Sequence, residues 1–347
     1  MLVTALLLVV AAALALVGVG VARSSCCSRG LRGAPSPAAL PGILTASSDM
    51  SHHLWSVWTG STGEAVQTFA WYDVTAALSP MGERLLTAGA FDTGDTVKMR
   101  DTSTGEILRN FTTNHHGNVV SAVFSPTGEY VLAATCGPGI NEGSMVMWSA
   151  STGEVLKSFT GHKGRVRSAV FSPTGDYLLS ASEDNTAMMW NASSGEPFVV
   201  FEGHLKFVTS AVFSPAGDRV LTASNDDTAR MWNASTGEAL HEFKGHTNHV
   251  SSVVFSPTGE RVLTASWDHT AIMWDASTGE VLQRFEGHSN SVGSAVFSPT
   301  GDHVLTASTD GTAKVWWLVT GTVVDSFSGS GLGGVTSAVY VPKMRSA

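Results

Sequence analysis

Short apolar runs of four or five residues recur along the chain and alternate with polar turns. In chain order the runs read SAVF, VLTAS, TAxMW and VLxxF, and the segments between them follow the patterns PTGD and NASTGE. Runs of this length, rich in β-branched and aromatic residues, predict β-strands, and the Gly, Pro, Asn and Ser between them predict tight turns. Each group of four runs therefore predicts a four-stranded antiparallel meander, whose strands we label a to d.

This group of four runs repeats at constant spacing. Four well-kept copies, 42 residues apart, begin at the Gly-His pairs that contain His162, His204, His246 and His288. Residues 70–111 and 115–159 are degenerate copies. The chain ends hold a split copy, since residues 43–69 supply strands b, c and d and residues 335–341 supply strand a. We number the split copy unit 1, the degenerate copies units 2 and 3, and the well-kept copies units 4 to 7.

Repeated sheets bury their faces by packing against one another around a ring. The repeats therefore predict an all-β fold, a seven-bladed β-propeller of four-stranded antiparallel blades. The split unit 1 predicts how the ring closes, by pairing of the N-terminal strands with the C-terminal strand. Residues 43–347 are then the propeller domain.

Units 4 to 7 also repeat four polar residue types at fixed spacing: 18 residues from His to Ser or Thr, 4 more to Asp, and 6 more to Trp. The sets are His162, Ser180, Asp184 and Trp190; His204, Thr222, Asp226 and Trp232; His246, Thr264, Asp268 and Trp274; and His288, Thr306, Asp310 and Trp316. Such a set can satisfy its own hydrogen bonds, because the indole donates to the hydroxyl and the imidazole links hydroxyl to carboxylate. A catalytic triad at Ser180 is the alternative, but three of the four copies carry Thr, and repetition is typical of a structural element.

The Gly-His pairs, the constant spacing and the TAxMW runs together resemble the WD-repeat (WD40) family of β-propellers, over essentially all of residues 43–341. The resemblance implies that the repeated polar sets are structural tetrads. It also implies a non-catalytic scaffold on which a protein complex assembles. Units 1 to 3 depart from the pattern: Arg100 stands in place of the tetrad Trp in unit 2, and Ala133 and Glu142 replace the hydroxyl and Asp in unit 3.

Comparison of the units with one another indicates where partners bind. The a–b and c–d turns barely change, whereas the d–a loops read KGRVR, LKFVT, TNHVS and SNSVG. In a meander the d–a and b–c connections share one end of the sheet, so variation collects on one face. Four residues there are candidates to bind other proteins or peptide segments, since aromatic and Arg side chains most often anchor interfaces: Arg165, Arg167, Phe207 and Trp267. We expect an acidic or apolar partner segment.

A small-ligand receptor or an enzyme that uses the central channel is the alternative function. It would need polar or metal-binding groups on strand a, which reads SAVFSP. No Gly-Lys-Ser/Thr phosphate motif and no Cys-x-x-Cys is present, so the sequence indicates no cofactor. The formal net charge is −9, which argues against nucleic acid as a partner because phosphate contacts need clustered Lys and Arg.

The N-terminal segment predicts a membrane anchor. Residues 2–22 contain 21 residues without a charge, and a spanning helix needs about 20. Arg23, Arg29 and Arg32 follow the run, which by the positive-inside rule would keep the propeller in the cytoplasm. A cleaved signal peptide or an organelle-targeting leader is the alternative for residues 1–22. Residues 23–42 are then the linker.

Overall fold

The computed structural model describes residues 43–48, 53–58, 65–71, 73–89, 96–113, 118–136, 143–328 and 334–340. These residues form 28 β-strands in seven four-stranded antiparallel sheets, and no helix occurs among them. The all-β prediction is therefore confirmed, and repeated sheets of this kind are those of a β-propeller.

Each sheet corresponds to one sequence unit and carries its number. Sheet 1 includes β1 (Ile43–Ser48), β2 (His53–Trp58) and β3 (Ala65–Trp71). Sheet 2 contains β4 (Asp73–Leu78), β5 (Arg84–Gly89), β6 (Thr96–Asp101) and β7 (Ile107–Thr112). Sheet 3 contains β8 (Val119–Phe124), β9 (Tyr130–Cys136), β10 (Gly143–Ser149) and β11 (Val155–His162). Sheet 4 contains β12 (Val166–Phe171), β13 (Tyr177–Ser182), β14 (Ala187–Asn191) and β15 (Pro197–Phe201).

The remaining three units form sheets of the same pattern. Sheet 5 contains β16 (Val208–Phe213), β17 (Arg219–Ser224), β18 (Thr228–Asn233) and β19 (Ala239–Lys244). Sheet 6 contains β20 (Val250–Phe255), β21 (Arg261–Ser266), β22 (Ala271–Asp275) and β23 (Val281–Phe285). Sheet 7 contains β24 (Val292–Phe297), β25 (His303–Ser308), β26 (Thr312–Trp317) and β27 (Val323–Ser328). The last strand, β28 (Gly334–Tyr340), belongs to sheet 1.

Sheet 1 joins the two ends of the described chain. Its strand order is β28-β1-β2-β3, and β28 runs antiparallel to β1. The register pairs Ile43 with Tyr340 at one end and Ser48 with Gly334 at the other, with one irregularity after Ala46. The first described strand and the last therefore hydrogen-bond to each other.

The a–b turns are tight because the sequence Ser-Pro-x-Gly fixes them. In sheet 4 the Gly175 N–H donates to the Ser172 carbonyl over 3.0 Å, and Gly175 has a φ of 84°. A residue with a Cβ would be strained at that φ, so Gly is needed there. The Ser172 hydroxyl accepts the N–H of Tyr177 over 3.1 Å and starts strand b.

The core lies between the sheets. Each described hydrophobic cluster draws its residues from two consecutive sheets. Five clusters lie between the neighbouring sheets 2 and 3, 3 and 4, 4 and 5, 5 and 6, and 6 and 7, and a sixth lies between sheet 7 and β28. Hydrogen bonds cross the same boundaries: the Ala211 N–H donates to Ser168 Oγ, and the Ala338 N–H donates to Ser294 Oγ, both over 3.3 Å. Neighbouring sheets are therefore packed face to face.

The antiparallel order gives each sheet two ends. We call the end with the d–a loops and b–c turns the variable face, and the end with the a–b and c–d turns the uniform face. The predicted anchor and linker, residues 1–22 and 23–42, lie outside the described residues. Within the described part of the chain, no helix is long and apolar enough to cross a membrane.

Candidate protein-interaction face

The repeated polar residues form a hydrogen-bonded chain at the variable face of sheets 4 to 7. In sheet 4 the indole of Trp190 donates to Ser180 Oγ over 2.8 Å, and this Oγ lies 2.7 Å from Nε2 of His162. The Nδ1 of His162 donates to Asp184 Oδ2 over 2.7 Å. Since a carboxylate only accepts, Nδ1 carries a proton, and in the neutral imidazole Nε2 accepts the Ser180 hydroxyl proton.

The carboxylate of this chain also holds two loops together. Asp184 Oδ2 accepts the N–H of Lys163 in the d–a loop over 2.9 Å. Asp184 Oδ1 accepts the N–H and hydroxyl of Thr186 in the b–c turn, over 3.0 and 2.6 Å. The d–a loop and the b–c turn are thus fixed relative to each other, and the tetrad sets the shape of the variable face.

Sheets 5, 6 and 7 repeat this geometry. Their indole-to-hydroxyl distances are 2.8–2.9 Å, and their hydroxyl-to-Nε2 and Nδ1-to-carboxylate distances are 2.7–2.8 Å. The residues are His204, Thr222, Asp226 and Trp232; His246, Thr264, Asp268 and Trp274; and His288, Thr306, Asp310 and Trp316. The structure brings together all four members of every predicted set.

The indole explains the Gly before three of the four tetrad His residues, Gly161, Gly203 and Gly245. A Cβ on Gly161 would lie 3.1 Å from Cη2 of Trp190, and on Gly245 it would lie 3.0 Å from Cη2 of Trp274. Contacts this short require the ring to move. Gly therefore lets the d–a loop cross the edge of the indole and place the following His in line with the hydroxyl.

Hydrogen bonding keeps the tetrad carboxylates ionised. Burial alone would raise the pKa of Asp310, but hydrogen bonds from Thr312, His288 and the Ser289 N–H lower that pKa to about 2. Burial also lowers the pKa of His288 from its ordinary value, against the opposing effect of Asp310. The other three tetrad carboxylates have pKa values well below the ordinary range, since hydrogen bonds outweigh burial at Asp184, Asp226 and Asp268.

Unit 2 keeps part of the network despite losing its Trp. Arg100 occupies the Trp position, and its Nε lies 3.4 Å from Thr87 Oγ1, the hydroxyl that an indole would reach. A second guanidinium nitrogen donates to the Gly105 carbonyl over 3.3 Å. In unit 3 Ala133 removes the hydroxyl, and Glu142 lies outside the described residues. Only sheets 4 to 7 therefore show the complete tetrad in the described part of the chain.

The complete units also match a known family. The family described as WD domain, G-beta repeat (WD40) matches residues 153–191, 195–233, 237–275 and 279–316. Residues 153–316 therefore carry four WD repeats, consistent with a WD-repeat family protein. WD-repeat domains generally mediate protein–protein interactions as scaffolds, and they are typically non-enzymatic. The comparison with curated proteins finds no significant match.

The matched WD repeats are offset from the sheets. The repeat at 153–191 begins with β11 of sheet 3 and continues through β12, β13 and β14 of sheet 4. Each repeat thus supplies the outer strand of one sheet and three strands of the next. Its tetrad His lies at the junction, so the WD repeat couples neighbouring sheets covalently as well as by packing.

On the variable face, each d–a loop lies against the b–c turn of its own sheet. Glu183 donates its N–H to the Arg165 carbonyl over 2.9 Å, and Asn225 donates to the Phe207 carbonyl over 2.9 Å. In sheet 6 the Trp267 N–H donates to the carbonyl of His249 over 3.0 Å. Arg165 and Phe207 therefore occupy equivalent places in consecutive sheets, and Trp267 lies on the other side of the same loop-to-turn hydrogen bond in the next sheet.

A path of contacts connects the two candidate aromatics. The rings of Trp267 and His249 have centroids 5.2 Å apart. His249 Nδ1 donates across the sheet boundary to the Asn225 carbonyl over 2.7 Å and lies 3.3 Å from Asp227 Oδ1. Because Asn225 also bonds to Phe207, the path runs from Phe207 through Asn225 and His249 to Trp267. The structure brings both aromatics to one face, on adjoining sheets.

The loop of sheet 5 exposes more apolar surface than the sequence comparison indicated. Leu205 is 81% exposed and Phe207 is 41% exposed. In sheets 6 and 7 the loop is closed by an Asn, since Asn248 and Asn290 each accept the N–H of the next residue over 2.8 Å. Sheet 5 has Lys206 at that place. Leu205 is thus a further apolar residue at a place where its sister residues Lys163, Thr247 and Ser289 are polar, although the preference of interfaces for aromatic and Arg side chains does not point to it.

The two candidate arginines have different surroundings. Arg167 lies 2.5 Å from Glu183 and forms an ion pair with it, so much of its charge is balanced within sheet 4. Arg165 is half-buried, and its Nε has no hydrogen-bond partner among the described residues. The charge complementarity expected of both arginines therefore rests mainly on Arg165.

Proposed function

We propose that the chain is a non-catalytic interaction platform, and that other proteins or peptide segments bind to its variable face. The observation that carries this proposal is the one-sided variation among units 4 to 7. The a–b turns of all four units and the c–d turns of units 4 to 6 keep the same residue types, whereas Leu205, Phe207 and Trp267 replace polar sister residues on the variable face. WD-repeat domains generally mediate protein interactions, which supports the same conclusion.

Backbone strain on the variable face supports its functional role. Asn185, Asp227 and His269 have φ values of 71°, 69° and 74°, in the left-handed region. All three follow the tetrad Asp, at the place where sheet 7 has Gly311. A side chain at such a φ costs free energy that Gly would avoid, and such strain concentrates at functional sites. Units 4 to 6 thus carry a side chain at a position whose φ favours Gly.

Two observations favour the platform over an enzyme or small-ligand receptor in the central channel. The Ser180 side chain is 0% exposed and accepts the Trp190 indole, whereas a nucleophile must reach substrate. The first strands of the sheets line the axis in a propeller. In those strands the described ionisable residues are Asp73, Arg167 and Tyr340; Arg167 is paired with Glu183, and Tyr340 is buried.

We propose further that the sheets form one closed ring of seven blades. The packing of consecutive sheets supports this, as does the pairing of β28 with β1, which ties the end of the chain to its first described strand. The ring has a functional consequence, because it holds all the d–a loops on one rigid surface.

We also propose that residues 2–22 anchor the chain in a membrane, with the propeller in the cytoplasm. The support is the sequence: 21 uncharged residues, followed by Arg23, Arg29 and Arg32. Residues 23–42 serve as the linker to the propeller. The platform would then collect partners at a membrane surface.

Within the variable face, the partner-binding surface is proposed to comprise Arg165, Leu205, Phe207 and Trp267. Its apolar members suit an apolar side chain of the partner. Arg165, with Lys163 in the same loop and Lys206 in the loop of the next sheet, suits a carboxylate. Arg167 is not part of this surface, because it forms an ion pair with Glu183 and holds that side chain in place. The partner expected is a segment in which apolar and acidic residues alternate.

We expect the double variant Phe207→Ser, Trp267→Thr to lose its partners but keep its fold. Ser291 and Thr309 occupy these places in sheet 7, so the new residues suit the backbone. Hot-spot side chains contribute about 2 kcal/mol or more each, so recovery of partners should fall by more than about tenfold. Quantitative affinity purification of the full chain, with partners identified by mass spectrometry, measures this.

The matched control is Phe198→Ser, which removes an aromatic that is 53% exposed on the outer strand β15. Its partners should be those of the wild type. Thermal unfolding of both variants verifies the fold. A folded double variant that keeps every wild-type partner would contradict the proposed surface.

A further inference from the structure

The c–d turn of sheet 7 differs in its side chains from those of sheets 2 to 6. In those sheets its first residue is Asp, Asn or Ser; in sheet 5, for example, Asn233 Oδ1 accepts the N–H of Ser235 over 2.9 Å. Sheet 7 has Trp317 in this place. The backbone is unchanged, since the Gly321 N–H still donates to the Trp317 carbonyl over 2.9 Å. The difference is therefore one of surface chemistry.

The altered turn is exposed, apolar and uncharged. Val319 is 85% exposed and Trp317 is 47% exposed, and Ser235 stands in the place of Val319 in sheet 5. Each c–d turn of sheets 2 to 6 ends in Glu, whereas sheet 7 has Thr322 there. Sheet 7 thus presents one apolar corner, Trp317 and Val319, on a face that elsewhere carries carboxylates.

This corner adjoins the point where the N-terminal segment joins the propeller. The ring of Trp317 packs on His303, with centroids 4.3 Å apart, and His303 Nδ1 donates to Asp302 Oδ1 over 2.7 Å. Tyr340, the buried residue that ends β28, packs in the same hydrophobic cluster as Val315 of β26, two residues before Trp317. Tyr340 is paired with Ile43 in the β-ladder. A short path therefore runs from Trp317 to the first residue of β1.

The corner and this junction lie on the same face. Strands a and c of a meander run in the same direction, so β28 and β26 both end at the uniform face. Ile43, the first residue of β1, pairs with Tyr340 and therefore lies at the uniform face, beside sheet 7. The proposed linker, residues 23–42, has 20 residues, and a chain of that length has a root-mean-square end-to-end distance of about 25 Å in the coil limit. An anchored domain would stay within about one domain diameter of the bilayer.

We propose that the Trp317–Val319 corner rests in the headgroup region of the lipid bilayer. This inference rests on the membrane anchor proposed above. Trp is enriched at membrane interfaces because its ring is apolar and its N–H is polar. A turn without a carboxylate enters this region without the free-energy cost of removing a charged group from water. Two side chains alone bind weakly, but the tether raises their effective concentration at the surface.

The proposal orients the platform on its membrane. With this corner on the bilayer, the carboxylates of the other uniform-face turns tilt away from the lipid. The variable face, with Phe207 and Trp267, then points away from the membrane toward soluble partners.

The test places an environment-sensitive fluorescent amino acid at position 319 of the full chain, reconstituted in phosphatidylcholine vesicles. The matched control carries it at position 235, the same place in the turn of sheet 5. Lipids brominated on the upper acyl chain should quench the probe at 319 severalfold more than the probe at 235. In a probe-free chain, W317N/V319S restores the sister residues and should reduce quenching of Trp fluorescence.

Flotation of the vesicles separates the two proposals. A chain that floats with the vesicles but is quenched equally at 319 and 235 would overturn the docking and leave the anchor standing. A chain that does not float would overturn both. Crosslinking of position 319 to a second copy of the chain would mean that this copy covers the corner, and would also overturn the inference.

Discussion

Removal of residues 335–347 is expected to abolish cooperative folding of the propeller. The deletion takes away nearly all of β28, whose Val335, Ala338, Val339 and Tyr340 are only 1–2% exposed. Burial of one large apolar side chain contributes about 1.5–3 kcal/mol, so the loss is on the order of 5 kcal/mol before the newly exposed surface of sheet 7 is considered. Domains are stable by about 5–15 kcal/mol, so the truncated chain should be largely unfolded or melt more than about 10 °C lower.

The control for this truncation is a chain that ends at residue 341, which keeps the whole of β28. It should unfold at the midpoint of the full chain in thermal and urea denaturation. Closure through β28 and β1 would be contradicted if the chain ending at residue 334 unfolded at that same midpoint.

The variant His204→Ala is expected to give the largest single-residue loss of stability. It leaves the buried Thr222 hydroxyl and the Asp226 carboxylate without the partner that now lies 2.7–2.8 Å away. Each buried polar group left unsatisfied costs about 1–3 kcal/mol, so the free energy of unfolding should fall by about 2–4 kcal/mol. Urea denaturation of the full chain measures the change.

His241→Ala is the matched control, since this histidine is half-buried on the outer strand β19 and belongs to no tetrad. It should change the free energy of unfolding by less than about 0.5 kcal/mol. Ser180→Ala separates a structural tetrad from a catalytic one. A hydrolase activity that vanished in Ser180→Ala at unchanged stability would show that the tetrad is catalytic.

The repeat pattern was sufficient to predict the strands and the tetrad contacts. Spacing determines these features: with strands of fixed length, His162, Ser180, Asp184 and Trp190 always fall at the same places in a meander. The same regularity located Phe207 and Trp267 on one face, because a b–c turn and a d–a loop share an end of the sheet. Periodic features of this kind follow from residue spacing and do not depend on side-chain rotamers.

Features that depend on the direction of individual side chains were not predicted. Nothing in the spacing tells that Arg167 turns toward Glu183, or that Arg100 reaches Thr87. The VLxxF run predicts an apolar strand, yet in sheet 6 Val281 and Leu282 are exposed and only the Phe is buried. In this outer strand only the last residue is buried. The apolar pattern alone does not distinguish such a strand from one that is buried along its whole length.

Position-resolved photocrosslinking tests the proposed function most directly. A photoreactive phenylalanine analogue at position 207 of the full chain, expressed in its native cells, reports proteins that touch the variable face. The same analogue at position 193, in the c–d turn of sheet 4, reports the uniform face. We predict covalent adducts with other proteins at position 207 and few or none at position 193. Adducts of equal yield at both positions, or at position 193 alone, would contradict a platform that binds its partners through the variable face.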